Sequence, residues 1–177
     1  MKILFVTYHG LGFGGAEVST KYLARGLQER GHEVIFVSHG QYEGFRNYFL
    51  KRFTFLPFSL QRMYVRKVVK KVIQKEHPDI VHVHDRLTSV GAVQAAKALK
   101  IPVVVHFRDY WAVCPRSSCM APDGFAYERC TPAVIFKHYP FYRWSLELYK
   151  LFSLRKARRV VNQADVKFCN GLKIQKR

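Results

Sequence analysis

The run Lys2-Ile3-Leu4-Phe5-Val6-Thr7 leads directly into Tyr8-His9-Gly10-Leu11-Gly12-Phe13-Gly14-Gly15-Ala16-Glu17, and this junction decides how the remaining chain is read. The first part is β-rich and bounded by glycines, as a strand is. From Ala16 the apolar residues Val18, Tyr22, Leu23 and Leu27 recur at helical spacing, and Gly31 stops the run as a left-handed cap does. Strand, glycine loop and helix make half of a βαβ unit. Glu33-Val34-Ile35-Phe36-Val37 is then a second strand, continuously apolar as strands covered on both faces are.

The alternation continues outward. Residues 40–60 have no clear period and form an ordered excursion. Val65, Val68, Val69, Val72 and Ile73 mark one face of a helix whose other face carries Arg62, Arg66, Lys67, Lys70 and Lys71, and His77-Pro78-Asp79 ends it. Ile80 to His84 is a third strand, Thr88 to Lys100 an alanine-rich helix and Ile101 to Phe107 a fourth strand. A long loop to Thr131, a helical region to Asn162 and a last strand, Asp165 to Cys169, complete the chain. Right-handed crossovers between such strands give an α/β fold, a Rossmann-like doubly wound parallel sheet whose ligands bind beyond the carboxyl ends of the strands. That rule selects the loop after Thr7, the turn His84-Asp85-Arg86 and the segment His106-Phe107-Arg108-Asp109.

Composition narrows the classes. The 177 residues are 49% hydrophobic and carry a net charge of +18, which fits one globular domain with charge outside a real core and excludes a disordered basic tail. No apolar run approaches the ~20 residues of a bilayer span. The initial apolar run stops at Thr7-Tyr8-His9 with no small-residue cleavage site after it, so it reads as a strand and not as a signal peptide. Four cysteines are too few to replace a core, and the cytoplasm is the expected compartment.

A glycine loop in this place serves a tight turn or the close approach of a phosphate-bearing ligand. A dinucleotide site would put a carboxylate at the end of the second strand, where the chain has Ser38-His39-Gly40, and there is no Walker Lys-Ser/Thr pair. Both NAD and ATP lose ground.

Four pieces in order, Gly14-Gly15-Ala16-Glu17, Arg30-Gly31-His32-Glu33-Val34, Pro78-Asp79-Ile80-Val81-His82-Val83-His84 and Arg108-Asp109-Tyr110-Trp111-Ala112-Val113-Cys114-Pro115, resemble the amino-terminal half of the retaining, two-domain (GT-B) glycosyltransferases, family 4-like. The resemblance implies that residues 1–177 are the acceptor-side Rossmann-like domain. It implies a nucleotide-sugar donor, a sugar, lipid-linked or polysaccharide acceptor, and no cofactor or metal. The companion donor domain is marked in that family by two glutamates with seven residues between them, and no such pair occurs here, so the chain is expected to be half of an enzyme and silent alone.

The resemblance carries Gly14 and Gly15 over directly as residues lying against donor phosphates and acceptor, with Glu17 beside them. Where relatives often have His, this chain has Arg108. A guanidinium cannot act as a base, so Arg108 fits a phosphate or carboxylate through paired donors. Asp109 either orients Arg108 or accepts from a sugar hydroxyl, and the pair are the catalytic candidates; a mutual ion pair closing the strand end is the competing reading. His84 and His106 stand at strand ends as binding candidates or as structural histidines. Cys114, Cys119 and Cys130 with His138 offer a Cys3His set without a close Cys-x2-Cys pair, so zinc, a disulfide and free thiols all stay open.

Residues 42–75 and 134–159 together carry +14 of the +18, interleaved with aromatics. An anionic membrane surface, at the inner face of the cell membrane, is the first reading and single-stranded nucleic acid a weaker second. The third is an ordinary core, with Phe141, Trp144, Leu148, Leu151 and Phe152 as a packed stripe. From another class, the chain is a basic binding module for anionic lipid or nucleic acid without catalysis. A sugar-nucleotide epimerase or dehydratase half would carry NAD.

Overall fold

The computed structural model describes residues 1–10 and 14–169. Its elements are β1 (Lys2–Val6), α1 (Gly15–Glu29), β2 (Glu33–Ser38), β3 (Arg46–Phe49), α2 (Phe58–Glu76), β4 (Ile80–Val83), α3 (Arg86–Ala98), β5 (Val103–Phe107), α4 (Pro132–His138), a 3-10 turn (Phe141–Arg143), α5 (Trp144–Val161) and β6 (Val166–Cys169). The sheet order is β3-β2-β1-β4-β5-β6, with parallel pairing of β3 to β2, β2 to β1, β1 to β4 and β4 to β5. The α/β, doubly wound reading of the sequence is therefore the observed fold. Contacts divide the chain into two compact units, Met1–His106 with Gln163–Phe168, and Phe107–Asn162 with the segment from Cys169.

In the first unit the central strands are covered on both sides. Leu4, Phe5, Val6, Ile35, Phe36, Val37, Val81, Val83, Val103 and Val105 have no or almost no exposed surface, which is why their sequences are runs and not alternations. β3 is an edge strand that the sequence reading leaves inside the excursion of residues 40–60. Its four residues, Arg46-Asn47-Tyr48-Phe49, are all at least partly exposed and show no apolar pattern. Side-chain bonds hold it: Asn47 Nδ2 donates to the carbonyls of Tyr42 and Phe45, and Tyr42 N donates to Asn47 Oδ1. Arg46 and Tyr48 both reach the buried carboxylate of Glu76 at the end of α2, which Lys2 also approaches. The Tyr48 hydroxyl, then Lys2 and Arg46, hold the Glu76 carboxyl below its ordinary range against the opposing effect of burial.

Of the four apolar residues expected to mark the buried face of α1, only Leu27 packs against the core. Thr20 and Ala24 are buried, whereas Val18, Tyr22 and Leu23 are exposed, Tyr22 by 68%. Ala24 packs with Ile3, Val34 and Phe36, so small residues bring the helix close to the sheet and leave the larger ones outside. α2 begins at Phe58, behind Pro57, and ends in a left-handed residue, His77, before Pro78. It packs on α3 at Gly91, where a Cβ would lie 2.8 Å from the Arg62 carbonyl oxygen and 2.8 Å from the Arg66 nitrogen.

The second unit is built on a different core, from Cys114, Cys119, Ala121, Tyr127, Cys130, Ile135, Tyr139 and Leu151. Thr131 caps α4 through Val134 N, with Pro132 in its first turn. Glu147 of α5 is buried between Arg143 and Lys150. The expected stripe along α5 is divided: Leu151 is buried and Trp144 and Leu148 half-buried, but Phe141 and Phe152 are exposed.

Two glycines in helices give opposite expectations. Gly91→Ala forces backbone apart and costs about 1–3 kcal/mol, as overpacking does. Gly26→Ala, whose Cβ meets only the mobile end of Arg30 at 3.3 Å, stabilises by up to about 1 kcal/mol through helix propensity. Denaturant unfolding of the two variants checks the difference in sign.

Candidate functional site

β1 and β4 lie side by side at the centre of the sheet, and the chain leaves them toward opposite edges. This is the point where doubly wound sheets open a crevice. Asp85, the residue after His84, closes it on one side. Its Oδ2 accepts from Tyr8 N at 2.7 Å and from Thr88 Oγ1 at 2.8 Å, while Oδ1 accepts from Leu87 N at 2.7 Å and Thr88 N at 2.9 Å. One carboxylate thus caps α3 and fixes the start of the glycine loop. The sequence reading begins that helix at Thr88 and gives Asp85 no role, although Asp two residues before a buried helical run is an N-cap signal.

The glycines divide by function. Gly10 is required by the fold: a Cβ there would lie 2.5 Å from the Gly40 backbone, and one on Gly40 would lie 2.6 Å from Gly10 Cα. The loops after β1 and β2 therefore touch backbone to backbone, and Tyr8 stacks on His39 at 5.3 Å. Gly12 lies outside the described residues. Gly14 and Gly15 are exposed at the start of α1; among the described residues a Cβ on Gly15 meets nothing within 4 Å, and one on Gly14 meets only the flexible Glu17 carboxylate at 3.3 Å. Gly14, the N-cap, has an extended φ of 173° and no side chain of its own to cap α1. Packing against the described residues therefore does not demand glycine at positions 14 and 15.

His84 and His106 come together, and a third histidine that the sequence reading passed over joins them. His82 lies on β4 and His84 follows its last residue, two positions on, so the two rings share a face. Register pairs His82 with Val104, so the next step along that face sets His84 beside His106. Ring centroids are 4.5 Å apart for His82–His84, 5.7 Å for His84–His106 and 5.9 Å for His82–His106. Phe5 lies 4.8 Å from the His82 ring and 5.4 Å from the His84 ring.

In the second unit, Asp109 Oδ1 accepts from Trp111 N at 2.7 Å, shaping the turn after β5, and Arg108 is half-buried next to it. The Cys3His set is not assembled as one cluster of ligand atoms among the described residues. All four cysteines are free thiols, and His138 instead pairs with Asp123 at 2.8 Å and stacks on Phe125. The Cys114 sulfur sits 3.1 Å from the Tyr127 hydroxyl, and burial with Cys114 nearby pushes the Cys130 thiol up to about 11. A pocket of about 230 Å³ lined by Val113, Glu128, Arg129 and Arg158 lies in this unit, at residues the sequence reading did not select. Arg66, Lys67, Lys70 and Lys71 of α2 are exposed, and Arg62 is half-buried against α3.

This strand order is that of a Rossmann-like domain. Residues 13–175 match the profile of Glycosyltransferase Family 4, and the chain belongs to that family. It is 30% identical, over an alignment of 144 positions covering 65% of this chain and 38% of the relative, to an "uncharacterized 42.6 kDa protein in cps region" of Klebsiella pneumoniae. The chain thus spans well under half the length of that relative. Among solved structures it is similar to a glycosyltransferase from Rickettsia africae (26% identity, TM-score 0.50, covering 60% of this chain and 29% of that one). It also shares its fold with a UDP-bound ugt transferase from Siraitia grosvenorii (15%, 0.58, 99% and 47%). A putative UDP-N-acetylglucosamine 2-epimerase from Listeria monocytogenes is a third such structure (14%, 0.62, 99% and 40%).

Asp85→Ala removes a cap and the tether of the β1 loop together and is expected to cost about 2 kcal/mol. Gly14→Ala and Gly15→Ala stay within about 0.5 kcal/mol of the parent, as surface substitutions do. Thermal and urea unfolding of the three variants measures the contrast.

Proposed function

We propose that the chain is the acceptor-side domain of a retaining glycosyltransferase that moves a sugar from a nucleotide-sugar donor to an acceptor hydroxyl. Family membership over nearly the whole chain supports the class. The observation that carries the local reading is the pair Gly14-Gly15: glycine is kept at an exposed helix start where folding does not need it. A side chain there would stand between a ligand and the backbone, and free N–H groups at such a start favour phosphate. In this reading the backbone at Gly14 and Gly15 helps hold the departing phosphate charge, and Glu17 beside them accepts from a sugar hydroxyl. The transfer step asks no metal of these residues.

The test uses the protein as its gene encodes it, assayed against a panel of nucleotide sugars. Gly14→Val and Gly15→Val are expected to lower kcat/KM at least a hundredfold while unfolding is unchanged, and the product anomer, read by NMR, keeps the donor configuration. Full activity of both variants contradicts the site assignment, and an inverted anomer contradicts retention.

A second observation favours an anionic surface as the place of work. α2 presents Arg66, Lys67, Lys70 and Lys71 outward, with Leu60 and Met63 exposed on the same helix and Phe55 just before it. In the second unit Phe141, Tyr142, Leu146, Tyr149 and Phe152 are exposed among seven basic residues. No helix among the described residues is long and apolar enough to cross a membrane. Cations near an anionic bilayer add about 1 kcal/mol each, and exposed aromatic rings suit headgroup depth. We expect sedimentation with phosphatidylglycerol vesicles that weakens as salt rises, and that weakens further in a Lys67→Glu, Lys70→Glu, Lys71→Glu variant. Equal binding to neutral vesicles, or none to anionic ones, contradicts this surface; preference for single-stranded nucleic acid over vesicles favours the non-catalytic module.

A further inference from the structure

We infer that His82, His84 and His106 form a binding site for one divalent transition-metal ion, with zinc as the best fit. The inference stands apart from the transfer reaction, because it rests on three side chains of the sheet and not on the glycine loop. One ligand nitrogen from each ring lies within 4.8 Å of the other two. Even at that limit a central point is about 2.8 Å from each nitrogen, so shifts under ~1 Å bring all three to the ~2.0–2.1 Å of a Zn–N bond. The ring positions agree independently. A metal bound through one imidazole nitrogen lies ~3.2 Å from the ring centre, so three ligands at tetrahedral angles have centres ~5 Å apart. The observed separations are 4.5, 5.7 and 5.9 Å.

The backbone supplies the preorganisation. His82 on β4 and His84, the residue that follows its end, set two rings on one face, and the parallel neighbour β5 adds the third, so two of the three stand on hydrogen-bonded strands and the other directly at a strand end. Phe5 backs His82 and His84, and Phe168 lies 6.2 Å from the His106 ring. His84 is buried and His106 keeps partial exposure, so water can take the fourth position from the His106 side. The donor set selects the ion. Three neutral imidazoles suit zinc, cobalt, nickel or copper, whereas magnesium and calcium need oxygen ligands, and no carboxylate belongs to the cluster. Binding requires unprotonated rings, so affinity falls as the pH drops through the imidazole range.

The test is a titration of the tag-free, metal-stripped full chain with Co²⁺ alone and then Zn²⁺ alone. One equivalent of Co²⁺ is expected to give the visible absorption of a four-coordinate nitrogen site without the near-ultraviolet charge-transfer band of a cobalt thiolate, and Zn²⁺ displaces it. His106→Gln weakens Zn²⁺ affinity at least tenfold by calorimetry, and His138→Gln leaves it unchanged. Where His106→Gln fails to fold, protection of the three histidines from diethylpyrocarbonate by Zn²⁺ in the unmodified chain, read by mass spectrometry, replaces it. No uptake of either ion, a thiolate band, undiminished affinity in folded His106→Gln, or unprotected histidines overturns the site.

Discussion

The carboxylate of Asp85 is the constraint on which the crevice depends. Parallel strands place their carboxyl ends at one edge of the sheet, but they do not by themselves fix the loops that leave there. Asp85 does this with four donors, one from the loop after β1 and three from the first turn of α3. Because every lone-pair direction of the group is used inside the fold, its part is positional, and ligand contact falls to the groups it positions. The touching backbones of Gly10 and Gly40 add a second brace between the loops after β1 and β2. Tyr8 lies between the two, bonded to Asp85 through its nitrogen and stacked on His39 through its ring.

A chain with +18 net charge must also keep its few acids where they count. Glu76 collects Lys2, Arg46 and Tyr48 at the end of α2, and Glu147 collects Arg143 and Lys150 in α5. Asp165 ties Lys97 and Val103 N to the start of β6, which holds its carboxyl below the ordinary range, the Lys97 bond foremost. These acids are joints between elements. Arg66, Lys67, Lys70 and Lys71 on the outer face of α2 take part in none of those ion pairs.

The parts of the fold that were legible are those in which burial on both faces wrote itself into the sequence. β1, β2, β4 and β5 are apolar runs, and the glycine junction after β1 fixed the class. β3 was not legible, because an edge strand of four half-exposed residues held by Asn47 carries no hydrophobic period. The apolar stripe of α1 misled for a related reason: a helix seated on Thr20 and Ala24 buries its small residues and displays its large ones. In the candidate site, one glycine of the loop, Gly10, answers to packing, which the sequence alone does not separate from ligand approach. His82 was missed although the His-x-His spacing was in view, because its partnership with His106 depends on strand order, which spacing within one segment does not give.

The central claim is the proposal that the backbone at the start of α1 faces the ligand, with Asp85 fixing the residue after β1 from which the glycine loop departs. Hydrogen exchange on the protein as its gene encodes it, with and without a nucleotide sugar, tests it most directly. The account predicts slowed exchange in peptides covering Gly14–Val18, and loss of that protection in Asp85→Ala. Protection confined to other peptides, or protection at Gly14–Val18 that survives Asp85→Ala intact, contradicts it.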